Sequence, residues 1–239
     1  MIPLRDANPT RQFPIVTVLL IVACTIAFIY EIGLSSSGGD AALERFISTY
    51  GAVPDRITAS LGAHDYTSPA MLGILSSMFL HGGWLHLIGN MLYLWIFGNN
   101  VEDRFGRLPF IVFYLLGGIA AAFAQVAINP ESTDPLIGAS GAIAATLGAY
   151  LVLYPGARVL SLVFLGFFYQ LLEVPAVLIL GFWFVLQLID GLGSLGAQNA
   201  QGGVAFFAHV GGFVSGMAVG FVVRVAGGGR PPSRVGQSA

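Results

Sequence analysis

Long apolar runs separated by brief polar breaks organise this chain, at 14–34, 83–99, 108–128, 139–154, 173–190 and 203–224. Each is close to or within the about 17–25 residues that a helix needs to cross a bilayer. The pattern predicts six membrane-spanning helices in an all-α, polytopic bundle. The first run follows Arg5 and Arg11, as a secretion signal would. It is, however, longer than the roughly 7–15-residue core of such signals and lacks a convincing small-residue cleavage site, so it reads as a span. Residues 1–13 are then a cytoplasmic N-terminal segment, 14–224 the membrane core, and 225–239 a flexible cytoplasmic tail rich in Gly, Pro, Ser and Arg.

The polar breaks differ in length. The segment from about 33 to 82 mixes charges, Gly and Pro with apolar pieces such as Ala70-Met71-Leu72-Gly73-Ile74-Leu75. Connections longer than about 12–15 residues are usually functional or structured themselves. Short helices lying partly in the membrane interface are expected there, making a long, partly embedded first outer loop. Gly98-Asn99-Asn100, followed by Glu102-Asp103-Arg104, predicts that the second span ends in a short cytoplasmic turn. Residues 159–172 are apolar, yet the span after them is complete without them, so they read as an interfacial connection at the cytoplasmic face. Glu173 and Pro175 fit the start of the fifth helix, where an acid favours the dipole and proline lacks only an orphan donor.

Composition makes the membrane assignment firm, since 56% apolar and 9% charged residues over 239 positions leave too little polar surface for a soluble globule. The basic residues are ten arginines and no lysine. Arg5, Arg11, Arg104, Arg107, Arg158, Arg224, Arg230 and Arg234 fall on one side, and only Arg45 and Arg56 on the other. The positive-inside rule then places both termini in the cytoplasm, with the plasma (cytoplasmic) membrane as the expected location. A net charge of −2 with scattered arginines excludes nucleic acid as a partner. The single cysteine, Cys24, allows neither an intrachain disulfide nor a cysteine metal cluster.

Against this apolar background a few polar residues carry the chemistry. Gly138-Ala139-Ser140-Gly141 opens the fourth span, and Ala208-His209-Val210-Gly211-Gly212 lies near the start of the sixth. Ser140 alone could be a helix-packing residue, and His209 alone could simply hydrogen-bond a neighbouring helix. Their depths agree: Ser140 begins its span, and His209 is about six residues, or roughly 9 Å, into the other. Small residues at four-residue spacing, Ser140-Ala144-Gly148 and Ala208-Gly212-Gly216-Gly220, allow close backbone approach. That approach is what a hydroxyl needs to reach a base within about 2.6–3.2 Å. His86 and Asn90, at i and i+4 on the second span, share one helical face and also enter from the outside. Attack on an amide creates an oxyanion, and His86, Asn90 and the backbone N–H of Ser140 are the expected donors to it. An interhelical hydrogen-bonding pair without a catalytic role is the alternative for His86 and Asn90.

The ordered set His81-Gly-Gly-Trp84-Leu-His86-Leu-Ile-Gly-Asn90-Met91, Gly138-Ala-Ser140-Gly141 and Ala208-His209-Val-Gly211-Gly212 resembles the rhomboid family of intramembrane serine proteases. The resemblance runs from about 14 to 224. It implies a six-helix core in which Ser140 is the nucleophile, His209 the general base and acid, and His86 with Asn90 line the oxyanion site. It also implies a fifth helix that helps gate lateral substrate entry. Two positions depart from patterns found in some rhomboids. Ala144 stands where an aromatic ring packs on the histidine, so other neighbours must position His209. The first outer loop carries no Trp-Arg pair; the tryptophans are Trp84, Trp95 and Trp183.

The expected activity is hydrolysis of peptide bonds in or near transmembrane segments, with transmembrane proteins as substrates, the lipid bilayer as surroundings and no metal or organic cofactor. A polar cavity open to the outside should lie above Ser140 and His209 to admit water. The rival is a catalytically silent rhomboid-like protein that binds or escorts membrane helices. A transporter fits less well, because matching interrupted helices in two inverted halves are not evident. His-Glu-x-x-His is absent, and Asp190 has no second aspartate within a span to make a dyad. Oligomeric state stays open.

Overall fold

The computed structural model describes residues 1–165, 168–194 and 205–227. Strand β1 (Ile2–Asp6) precedes helix α1 (Ile15–Gly38). The first outer loop then folds into three short helices, α2 (Asp40–Tyr50), α3 (Pro54–Gly62) and α4 (Pro69–Ser76), the last running into a 3-10 turn at Ser77–Phe79. Helix α5 (Trp84–Tyr93) passes through a π-helical stretch, Leu94–Gly98, into α6 (Asn99–Phe105). Helices α7 (Arg107–Ile128) and α8 (Ser140–Leu153) follow, then strands β2 (Arg158–Leu165) and β3 (Phe168–Pro175), and helices α9 (Ala176–Ser194) and α10 (Phe206–Val225). The expected tail beyond 227 and the start of the expected sixth span lie outside the described residues.

The protein is an integral membrane protein with a mostly helical fold. Helices α1, α7, α9 and α10 are long and apolar enough to cross a bilayer. The bent pair Pro69–Phe79 and Trp84–Phe105, at 79° to each other, adds a fifth candidate. Outward-facing side chains such as Leu19, Ile26, Leu85, Leu116, Phe182 and Phe221 are exposed and apolar, the surface that lipid tails solvate. The fourth expected span, α8, has 14 residues. At 1.5 Å per residue it is about 21 Å long, short of the roughly 30 Å hydrocarbon thickness. Its residues Ala142 to Tyr150 are all buried, so α8 is the central post of the bundle and an end of it must lie below the membrane surface.

Small residues let the bundle close around that post, on the expected rows and one beside them. Gly212, Gly216 and Gly220 of α10 lie on the backbone of Gly141, Ala145 and Ala149; a side chain at Gly212 or Gly216 would collide there, and one at Gly220 would be tight, 3.0 Å from the Ala149 Cα. Gly148 meets the Phe213 carbonyl in the same way. On the other side of α8, Gly117 faces Ala145 and Gly141 faces Ala121 of α7. The seam thus uses both small rows of α8, the expected Ser140-Ala144-Gly148 and the neighbouring Gly141-Ala145-Ala149, with Ser140 at its mouth.

Two local expectations are corrected, and the connection at 159–172 takes a definite form. The second span does not stop at Gly98-Asn99-Asn100; it stays helical to Phe105 and ends at Gly106, whose φ of 87° suits glycine. The polar residues that signalled a turn are turned inward. Glu102 accepts the backbone N–H groups of Val16 (3.0 Å) and Thr17 (2.8 Å) and the Thr17 hydroxyl (2.8 Å), capping the start of α1. Asn100 donates to the Asn8 carbonyl, and the Tyr154 hydroxyl donates to that of Asn100.

Residues 159–172 belong to an antiparallel pair in which Arg158 faces Pro175 and Leu165 faces Phe168, with β1 completing a three-stranded sheet in the order β1-β2-β3. Glu173 and Pro175 therefore lie on β3, not at a helix start, and α9 begins at Ala176. An edge strand tolerates proline because its missing donor faces away from the ladder. The long first outer loop is helical, as expected.

Candidate functional site

The site forms where three helix starts converge. Ser140 is the first residue of α8. The turn before it is set by Gly138, whose φ of 123° is open to glycine and whose N–H donates to the Ser77 carbonyl at 2.9 Å. His209 is the fourth residue of α10, which starts at Phe206, so it sits in the first turn and not six residues in. The Gln125 side chain of α7 accepts the Ala208 N–H at 3.2 Å, satisfying a donor that α10 leaves unpaired at its start.

The seam of small residues brings the two side chains together: His209 Nε2 lies 2.7 Å from Ser140 Oγ. This is hydrogen-bond distance between a hydroxyl and an imidazole nitrogen. His209 is only 9% exposed. Its other ring nitrogen, Nδ1, lies 2.6 Å from Gln187 Oε1 of α9, and the Trp183 ring stands 5.8 Å from the imidazole at 37°. Helix α9 therefore supplies the neighbours that Ala144 does not.

His86 and Asn90 of α5 line the same cleft. The Gly82 N–H donates to His86 Nδ1 at 3.3 Å, which leaves Nε2 as the proton-bearing nitrogen of the neutral ring. That edge of the ring packs on Gly138: a Cβ there would come within 2.7 Å of His86 Nε2 and 3.5 Å of Ser140 Oγ. Asn90 is 8% exposed, and its Nδ2 has no hydrogen-bond partner among the described residues. A buried amide donor left unpaired is costly in a fold and marks a place where an acceptor can be taken up. The cleft has a volume of about 780 Å³ and is lined by His86, Asn90, Ser140, Trp183 and His209, with Ile47 of α2 and Asp134 of the α7–α8 connection also on its walls.

Residues 68–226 of the chain match the Rhomboid domain. This chain belongs to the rhomboid family. It is similar to Rhomboid protein 1, mitochondrial, of Saccharomyces cerevisiae, with 29% identity over 68% of this chain and 44% of the yeast protein. It is 36% identical to Rhomboid protease GluP of Bacillus subtilis over 52% of this chain and 23% of that protein. Rhomboid-like protease 5 of Toxoplasma gondii shares 29% identity over 70% of this chain and 18% of its own length. The match thus covers less than half the length of each of these relatives.

Sequence reasoning placed Ser140, His209, His86 and Asn90 near this cleft but missed Gln187, Gln125 and Trp183 of this rhomboid. A signal for the glutamines was present. Both are polar residues inside apolar spans, where side-chain amides are retained for contacts between helices.

Proposed function

We propose that this rhomboid is an intramembrane serine endopeptidase that hydrolyses peptide bonds in or near the transmembrane segments of membrane proteins. The observation that carries the reading is the 2.7 Å contact between Ser140 Oγ and His209 Nε2 inside a cleft that begins at the buried post α8. Ser140 attacks the scissile carbonyl as its proton passes to Nε2. His209 then returns that proton to the leaving amine, and a water entering the cleft releases the acyl group with His209 again as base. His86 Nε2–H, Asn90 Nδ2 and the backbone N–H of Ser140 converge as donors to the oxyanion. One such donor in a dry site is worth about 2.7–4 kcal/mol of barrier.

A helical substrate satisfies its own backbone hydrogen bonds in lipid, so its scissile carbonyl is shielded until the segment unwinds. Segments weakened by Gly or Pro should therefore be cut first. The chemistry calls on no cofactor. With arginines concentrated on the side that holds Arg5, Arg11 and Arg104, the cleft opens to the non-cytoplasmic face of a plasma membrane.

The test is cleavage of a transmembrane reporter in proteoliposomes by wild type, Ser140→Ala and His209→Ala. Cutting by wild type alone supports the protease. Reporter binding without cleavage in all three proteins would favour the silent helix-binding alternative.

A further inference from the structure

His209 has two ring nitrogens, and the dyad engages one of them. Nε2 faces Ser140 Oγ, while Nδ1 faces Gln187 Oε1 at 2.6 Å. An amide oxygen only accepts, so this pairing puts the proton of a neutral imidazole on Nδ1 and turns the Nε2 lone pair to the serine. Gln187 lies one turn along α9 from Trp183, on the same face, and the two bracket the imidazole through one hydrogen bond and one ring contact. Next to them Phe184 stacks on Phe213 of α10 at 4.7 Å.

The rest of α9 explains why this amide stands out. Val177, Leu178, Phe182, Val185 and Ile189 all face outward, and α9 is the least buried of the long helices. A glutamine on such a helix needs a partner inside the protein, because hydrocarbon offers none. Among the described residues its side-chain oxygen meets the one nitrogen of His209 that the serine does not use.

We propose that Gln187 is a positioning residue for the dyad: a neutral third member, carried on α9, that fixes both the tautomer and the ring plane of His209. The proposal rests on the protease reading above. Because the bond joins α9 to α10, any displacement of α9 away from α10 stretches it. The seating of α9 and the readiness of His209 to take a proton are therefore linked.

Three variants test this in the full-length protein, with reporter cleavage giving kcat and KM and a thermal midpoint recorded for each. Gln187→Leu keeps the bulk of the side chain and removes the acceptor. It should lower kcat on the order of 10- to 100-fold, the range found when the outer partner of a metal-bound histidine is lost, with KM and the midpoint close to wild type. Gln187→Glu, which has only acceptor oxygens, should restore most of kcat. Ser140→Ala is the control for the reading beneath the proposal. Cleavage that Ser140→Ala abolishes but Gln187→Leu leaves intact overturns the role of Gln187 alone. Equal losses in the Leu and Glu variants, tracking a lowered midpoint or a raised KM, also overturn it, because they mark a structural contact only. A wild type that cuts no reporter and differs in nothing from Ser140→Ala overturns the protease reading itself.

Discussion

Gly216 rests on the carbonyl of Ala145, with no room for a β-carbon between α10 and α8. This contact sits one turn below the pairing of Gly212 with Gly141, which adjoins Ser140. The distance between Ser140 and His209 is therefore set by how closely two backbones approach. Gly216→Val forces the helices apart, and overpacking of this kind typically costs about 1–3 kcal/mol or more. We expect a lowered unfolding midpoint in detergent together with loss of reporter cleavage, whereas Gly193→Ala in α9, where nothing lies within 4 Å, should change neither.

Among the described residues Asn90 offers a buried donor without a partner, so its replacement should be felt in the reaction more than in the fold. Asn90→Leu removes the donor and should lower kcat by roughly 10²–10³-fold if it meets the oxyanion, with KM little changed. Steady-state kinetics on a transmembrane reporter, with the unfolding midpoint as control, checks this. An unchanged kcat assigns Asn90 to helix packing.

At the other end of the bundle, Glu102 should behave in the opposite way. It caps α1 from the far side of the second span, and Glu102→Ala leaves the Val16 and Thr17 N–H groups without that acceptor. Hydrogen bonds to a charged group contribute about 1.5–3 kcal/mol, so the variant should lose at least that much stability in a detergent unfolding titration. The fraction that remains folded should cleave at the wild-type rate.

These contrasts follow what was legible in the sequence. Hydropathy marked the long helices, and the polar residues Ser140, His209, His86 and Asn90 stood out because lipid tolerates so few. Glu102 and Asn100 were read as a turn because charge and amide density normally mean water. Here they point into a polar cluster between helix ends, which a one-dimensional pattern does not distinguish. The β2–β3 pair was hidden for a related reason: apart from Ser161, Val159 to Phe164 is apolar on both strand faces, so hydropathy registered membrane affinity and not the period of a strand. The packing row Ser140-Ala144-Gly148 was legible from its small side chains, and the structure adds the neighbouring row Gly141-Ala145-Ala149 to the same seam. Gln187 was passed over as a lone polar residue, since its meaning depends on a partner 22 residues away in the chain.

The most direct measurement of the account is mass-spectrometric mapping and rate of fluorophosphonate labelling on folded protein in detergent. A single adduct on Ser140, formed at least about 100-fold more slowly in His209→Ala, is the result expected of a serine activated by that imidazole. Absence of an adduct on Ser140, or labelling that proceeds equally well without His209, would contradict it.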